Sequence, residues 1–248
     1  MELTDGLEEL RHVISLKEIA SMIEHTARWV SPETFRLLPV WFPEYSRGGK
    51  FYKGNWSQKQ TNTNRVTGLS IHKSEANTHA SKALTLALGL RSKQRPNWSC
   101  CHIWGIDDPK FQRSNTVVRD NRFFSCIANM VMLPTPLKAF TDALPEIKVM
   151  LRLCALNLYG WKCDHYELSN AHQELDAWSN WGAYPKSWPK HPNERLPRGT
   201  VVLSQQIRDS AEKRLSEIRR DLREAGPYYP RKQVRAALKY SKKCSMIR

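Results

Sequence analysis

Apolar residues recur at helical spacing over residues 7 to 31, where Leu10, Val13, Ile14, Ile19, Met22 and Ile23 share one face of one or two predicted helices. From residue 38 to 70 the period disappears. Aromatic, Gly, Asn and Lys residues crowd this stretch (Trp41-Phe-Pro-Glu-Tyr45, then Arg47-Gly-Gly-Lys50-Phe-Tyr-Lys53-Gly-Asn-Trp56), which suits a long ordered loop or short strands. Helical spacing returns from Glu75 to Leu90, with Ser74 placed as N-cap and Gly89 near the end.

Between Trp98 and Trp161 the pattern changes character. Trp98-Ser-Cys-Cys-His102-Ile-Trp104 reads as a strand carrying a histidine at its end, and Arg122-Phe-Phe-Ser-Cys-Ile127 reads as a second strand across a polar loop. Asn129 then precedes an apolar run, Met130-Val-Met-Leu-Pro134, that leads into a helix from Thr135 to Tyr159. Pro134 or Pro136 suits the first turn, Pro145 divides the helix, and Ile147, Leu151, Cys154 and Leu158 mark a buried face. Residues 178 to 200 are rich in Trp, Pro and Asn and read as a loop or linker. Ser204 to Glu224 is a charged helix with a narrow seam (Ile207, Ala211, Leu215, Ile218, Leu222) suited to packing on a protein partner or a domain surface. Gly226-Pro-Tyr-Tyr-Pro230 breaks it, and a short basic helix follows. The expected class is α+β: mostly helices and ordered loops around a small strand–strand–helix core. Four segments are expected: an N-terminal helical and loop region (1–96), the core (97–165), a Trp/Pro-rich loop region (166–200) and a basic helical tail (201–248).

Charge narrows the choice of partner. Lys and Arg outnumber Asp and Glu by 39 to 24, a net charge of +15, and the tail from Val201 holds 13 of those basic residues against 5 acidic ones. Such a field concentrates polyanions, nucleic acid above all. No apolar run is long enough to span a bilayer, so no membrane partner is expected. The opening Met-Glu-Leu-Thr-Asp-Gly-Leu-Glu-Glu lacks the basic-then-apolar pattern of a secretory leader, and a cytoplasmic protein is expected. Nine Trp residues, several beside Asn, Ser, Lys or Pro (Trp56, Trp98, Trp178, Trp181, Trp188), either line a groove or cover a core poor in regular structure. Six cysteines contain no CxxC pair, and Cys100 and Cys101 point to opposite faces of a strand; free thiols are expected. A structural zinc site built from Cys101, Cys126, Cys163 and a histidine is the alternative. The chain has no P-loop, no GxGxxG before a helix and no GxSxG elbow, which removes support for nucleotide hydrolysis and serine esterase chemistry.

Hydrolysis of a phosphodiester needs a water, a group to take its proton, and positive charge on the phosphate. Cys101-His102-Ile103-Trp104-Gly105 and Asn129-Met-Val-Met-Leu-Pro134 supply that order of residues, and the segment resembles the HNH, or ββα-metal (His-Me finger), nucleases over about 65 of 248 residues. The resemblance implies a ββα-metal core with His102 as general base and Asn129 as a metal ligand or as the residue orienting the histidine and its loop. The implied cofactor is a divalent metal ion, Mg²⁺ or Mn²⁺, with Zn²⁺ as the alternative; Cys101 stands where the family has Asp or His, a poor partner for Mg²⁺ but an acceptable one for a softer ion such as Zn²⁺. The third family position falls near Lys138, which would contact the phosphate or stabilise the transition state. Asp142, one turn later, is the replacement ligand, and Asp107 and Asp108 are further candidates. The implied activity is a metal-dependent endonuclease, most naturally on DNA, of the kind used in bacterial restriction, anti-phage defence or mobile elements. Arg47, Lys50 and Lys53, with Arg219, Arg220, Arg231 and Lys232 of the tail, would hold the nucleic-acid backbone. His72 and His79, flanking Glu75 and near Asn77, read as surface residues or as contacts of the site. The competing expectation is a non-catalytic nucleic-acid-binding or assembly protein with a structural ββα unit. A nuclease requires His102 and Asn129 to converge at an open cleft, whereas a binding module leaves them separated or buried.

Overall fold

A computed structural model describes residues 5–105, 112–168, 175, 182–192 and 194–247. Helix α1 (Gly6–Val13) starts where the Asp5 carboxylate accepts two backbone N–H groups, and α2 (Leu16–Thr26) starts at a reciprocal capping box between Ser15 and Glu18. The predicted apolar face belongs to α2, which buries Ile19, Ala20 and Ile23, whereas Val13 of α1 is 85% exposed. After β1 (Trp29–Val30) and α3 (Pro32–Leu37), the aperiodic region forms two short antiparallel pairs, β2 (Tyr52–Lys53) with β3 (Gln58–Lys59) and β4 (Thr61–Thr63) with β5 (Ser70–His72).

Helix α4 (Thr78–Ala87) begins later than expected. Ser74 is drawn into a bridge with Lys50, and the buried carboxylate of Glu75 takes the capping role by accepting the Thr78 N–H at 2.5 Å. The helix ends before Gly89, whose φ of +66° is a left-handed conformation that glycine adopts without a steric cost.

The centre of the molecule corrects one expectation. Strand β6 (Trp98–His102) pairs antiparallel with β7 (Met130–Pro134), with Trp98 opposite Pro134 and His102 opposite Met130. The partner strand is therefore the apolar run after Asn129, and Arg122–Ile127 is not a strand. Arg122 closes a tight turn onto Asp120 through backbone and guanidinium, and Phe123 and Phe124 both donate to the Asp120 carbonyl at 3.1 Å. Met130 to Leu133 are buried on both faces, so their side chains show no alternation to announce a strand. The other edge of β7 bridges to Arg28, next to β1.

Helices α5 (Thr135–Ala143) and α6 (Pro145–Tyr159) follow directly, divided at Pro145, which occupies the first turn of α6. The buried surface of α6 is wider than the expected stripe and includes Val149, Met150, Leu153 and Arg152 as well as Ile147, Leu151, Cys154 and Leu158. Strand β8 (Thr200–Val201) pairs in parallel with β1. Helices α7 (Gln205–Glu224), capped by Ser204, and α8 (Arg231–Ser245) complete the chain. Their turn is close-packed: a Cβ on Gly226 would lie 2.7 Å from the Trp56 backbone.

The seam of α7 is covered by the chain itself, so of the two surfaces expected to meet it, it is the domain surface that does. Ile207, Ala211 and Ile218 are buried against a layer that includes α3 and α4. Leu215 packs partly buried against the core, and Arg214 beside it adds to the seam, donating to the Trp41 carbonyl at 2.8 Å and pairing with buried Glu44. The main apolar core draws residues from each of the four sequence segments. Trp29, Trp41, Trp104, Trp161 and Trp188 are fully buried in it, and Trp56 and Trp98 are half-buried, so the described tryptophans serve the core. Trp178 and Trp181 lie outside the described residues. The architecture is mixed α and β with mostly helical elements, and among the described residues no helix is long and apolar enough to cross a membrane.

Candidate active site

His102 ends β6 half-buried, with its ring stacked on Phe124 at a centroid distance of 5.7 Å. Its Nε2 lies 2.8 Å from the Phe124 carbonyl oxygen. A carbonyl only accepts, so Nε2 carries the proton and Nδ1 carries the lone pair of a neutral ring. Burial pushes the His102 pKa down to about 4, and the charges of Arg47 and Lys148 act in the same direction, against the opposing bond to Phe124. The ring is therefore neutral at physiological pH, with two cations in its electrostatic neighbourhood.

Asn129 fixes this geometry from a fully buried position. Its Oδ1 accepts the Trp104 N–H at 2.7 Å, its Nδ2 donates to the Phe123 carbonyl at 3.1 Å, and its own carbonyl accepts the Ile103 N–H at 2.9 Å. One side chain thus ties the residues after His102 to the residue before Phe124. Its amide is committed to the backbone on both atoms and shielded from solvent, which does not suit a metal ligand. Arg152, which sequence reasoning missed, reinforces the arrangement from α6 by donating to the Ile103 carbonyl at 3.1 Å and the Gly105 carbonyl at 3.0 Å. Its signal was a lone charge in the apolar window Val149–Leu156.

Cys101 faces the other side of β6, toward α5. There Lys138 and Asp142 form an ion pair one helical turn apart, and both exert their charge on the Cys101 thiol, which burial pushes up to about 12. The structure therefore brings Cys101, Lys138 and Asp142 together, but on the face opposite His102. As donors for a hard divalent ion they do not fit. The thiol stays protonated, the Asp142 carboxylate is engaged by an ammonium group, and Asn129 is committed elsewhere. Asp107 and Asp108 lie outside the described residues, and among the described residues no group of three or more His, Cys, Asp or Glu is placed to hold a metal. That includes the alternative zinc set of Cys101, Cys126 and Cys163, whose thiols are buried and form no disulfide.

The cationic candidates separate in the same way. Arg47 is held beside the site, donating to the Ala76 carbonyl at 3.3 Å and to Asn77, which in turn donates to the Cys100 carbonyl at 3.3 Å. Lys50 bonds Ser74, and Lys53 is exposed on β2. Arg219 and Arg220 are exposed on α7, with Arg220 paired to Asp221. Arg231 is turned inward: its guanidinium donates to the carbonyls of Leu222, Ala225 and Gly226 and closes the end of α7. Lys232 beside it is exposed. His79 is bonded to Glu75 and stacks on Tyr45 at 3.4 Å, and His72 bonds the Phe51 carbonyl at 2.9 Å, so both are structural. His172 lies outside the described residues. Comparisons of the chain with models of known protein families, with characterised proteins and with solved structures found no match.

Proposed function

We propose that this chain is a nuclease of the HNH type, hydrolysing phosphodiester bonds with His102 as general base. The observation that carries the reading is the Phe124 carbonyl bond, which fixes the ring tautomer and leaves Nδ1 as the basic nitrogen. A water would give its proton to Nδ1 while its oxygen bonds to phosphorus. The bond from phosphorus to the departing sugar oxygen would break, and that oxygen would take a proton from solvent. Arg47 and Lys148, the cations that act on His102, would balance the charge on the phosphate. DNA is the proposed substrate on the strength of the net charge and the family resemblance. Metal dependence is part of the resemblance, but no step is assigned to a metal because the described donors do not fit one.

The test is cleavage of plasmid DNA and RNA by the wild type and His102→Ala, in Mg²⁺, Mn²⁺, Zn²⁺ and EDTA. Cleavage by the wild type alone supports the assignment. Equal activity in both refutes the role of His102, and equal inactivity in every condition removes the nuclease reading. A second reading, a non-catalytic nucleic-acid-binding protein, is favoured by one observation: the Asn129 side chain is fully buried rather than open to a cleft.

A further inference from the structure

The surface beside α8 carries a trough that this chemistry does not use. Two cavities of about 650 Å³ each share Arg122 and Ala236, which makes them one continuous depression along the helix. Lys232, Ala236, Lys239 and Lys243 fall at positions i, i+4, i+7 and i+11, a single stripe of α8. The small side chain of Ala236 leaves the junction open between lysines about 10 Å apart, seven residues at 1.5 Å each.

Two acids line the trough, and both are neutralised: Asp120 by the forked Arg122 guanidinium at 2.7 Å and Asp164 by Lys243 at 3.5 Å. Among the described residues, Arg119, Lys232, Lys239 and Lys242 have no ion-pair partner, so the trough keeps a positive field. At its rim Tyr166 is 76% exposed and stacks on His165 at 4.5 Å, with its hydroxyl held by Glu167. One ring face of Tyr166 is thus braced from below, and its exposure leaves room for a ring above. Ser46, next to Arg47 in the chain, also lines the trough.

We propose that this trough binds a single strand of nucleic acid, with phosphates along the α8 lysines and one base stacked on Tyr166. The cationic stripe alone would suit any polyanion. The braced aromatic plate selects an unpaired base, because stacking platforms beside a charged groove hold single strands. A concave trough also fits a strand laid into it better than a flat anionic lipid surface. The link from trough to hydrolysis rests on the proposed nuclease reading; strand binding itself does not.

The experiment is fluorescence anisotropy of the full chain with a labelled single-stranded oligonucleotide, its duplex, and phosphatidylserine vesicles, in EDTA and over a range of salt. Lys232→Glu with Lys239→Glu is expected to weaken single-strand binding at least about tenfold and to flatten its salt dependence. Tyr166→Ala is expected to weaken single-strand binding about fivefold or more and to leave duplex binding within a factor of about two. Lys186→Glu with Lys190→Glu, both exposed and outside the trough, serves as the control and should change little. If the charge-reversed α8 protein does not fold, Lys232→Gln with Lys239→Gln is read instead, with a loss of about threefold or more expected. The proposal is overturned if the α8 variants bind normally, if the Lys186/Lys190 control weakens binding equally, or if duplex or vesicles are preferred. Failure of cleavage with this binding pattern intact would overturn the nuclease reading alone.

Discussion

The two faces of β6 hold their residues by different physics. On one face half-buried His102 and buried Asn129 are fixed by hydrogen bonds to main-chain atoms of Phe123, Phe124 and Trp104. On the other, Cys101 is a protonated thiol beneath an exposed pair between Lys138 and Asp142. Main-chain bonds in a dry interior are rigid and costly to break, whereas an exposed ion pair contributes little and exchanges readily with water. The clamped face is the one on which the sequence resemblance placed the base, and the face on which it placed the ion is the one whose donors do not fit.

The clamp gives the largest expected effect. Asn129→Ala removes two buried bonds, from the Trp104 N–H and to the Phe123 carbonyl, at about 3 kcal/mol. Cys101→Ala removes only a small apolar group, at about 1 kcal/mol. Chemical denaturation of both variants checks the contrast, and equal losses would break it. Arg152→Met should fall between them, at about 2 kcal/mol, because the Ile103 and Gly105 carbonyls lose a buried donor.

Titration of His102 sharpens the comparison. Its pKa is held down to about 4 in the folded chain, against about 6.5 when unfolded. The unfolded chain therefore binds the proton first, so this contribution to stability is complete above pH 6.5 and is lost as the pH falls through 4. The loss should be about 2 kcal/mol, allowing for partial exposure. His102→Gln should show a correspondingly flatter stability curve between pH 6.5 and 4, and an identical curve would place the acid sensitivity elsewhere.

Much of this was legible in the sequence, and what was missed has physical causes. The ends of α7 were visible because Ser204 caps and Gly226-Pro stops a helix. The break at Pro145 was visible because proline tolerates only the first turn. The second strand was misplaced because Met130–Leu133 is buried on both faces and lacks the alternation that marks a half-buried strand, while Arg122–Ile127 has strand-like composition inside a turn set by Asp120. His102 and Asn129 were legible as neighbours through their order along the chain. Their actual partners were not, because Phe124 and Trp104 contribute main-chain atoms that any residue could supply. Arg231 shows the same limit in reverse. It is one basic residue among many, and only its carbonyl partners distinguish it from exposed Lys232.

The smallest effect lies on the second face. Lys138 and Asp142 are each nearly half exposed, at 44% and 49%, and four residues apart on α5. Their coupling, measured by a double-mutant cycle with Lys138→Met and Asp142→Asn, should be about 0.5 kcal/mol or less and should fall further in high salt. Stability therefore gives this pair no reason to be kept, and its effect on cleavage becomes the informative readout. If Lys138 supplies charge to the phosphate, Lys138→Met should slow cleavage by about tenfold or more while unfolding is almost unchanged. Asp142→Asn, which frees the ammonium group, should preserve the rate. The reverse ranking would make Asp142 the working group and assign the second face to a cation bound from solution. Equal, small effects on rate would reduce the pair to an ordinary helix contact and leave the clamped face to act alone.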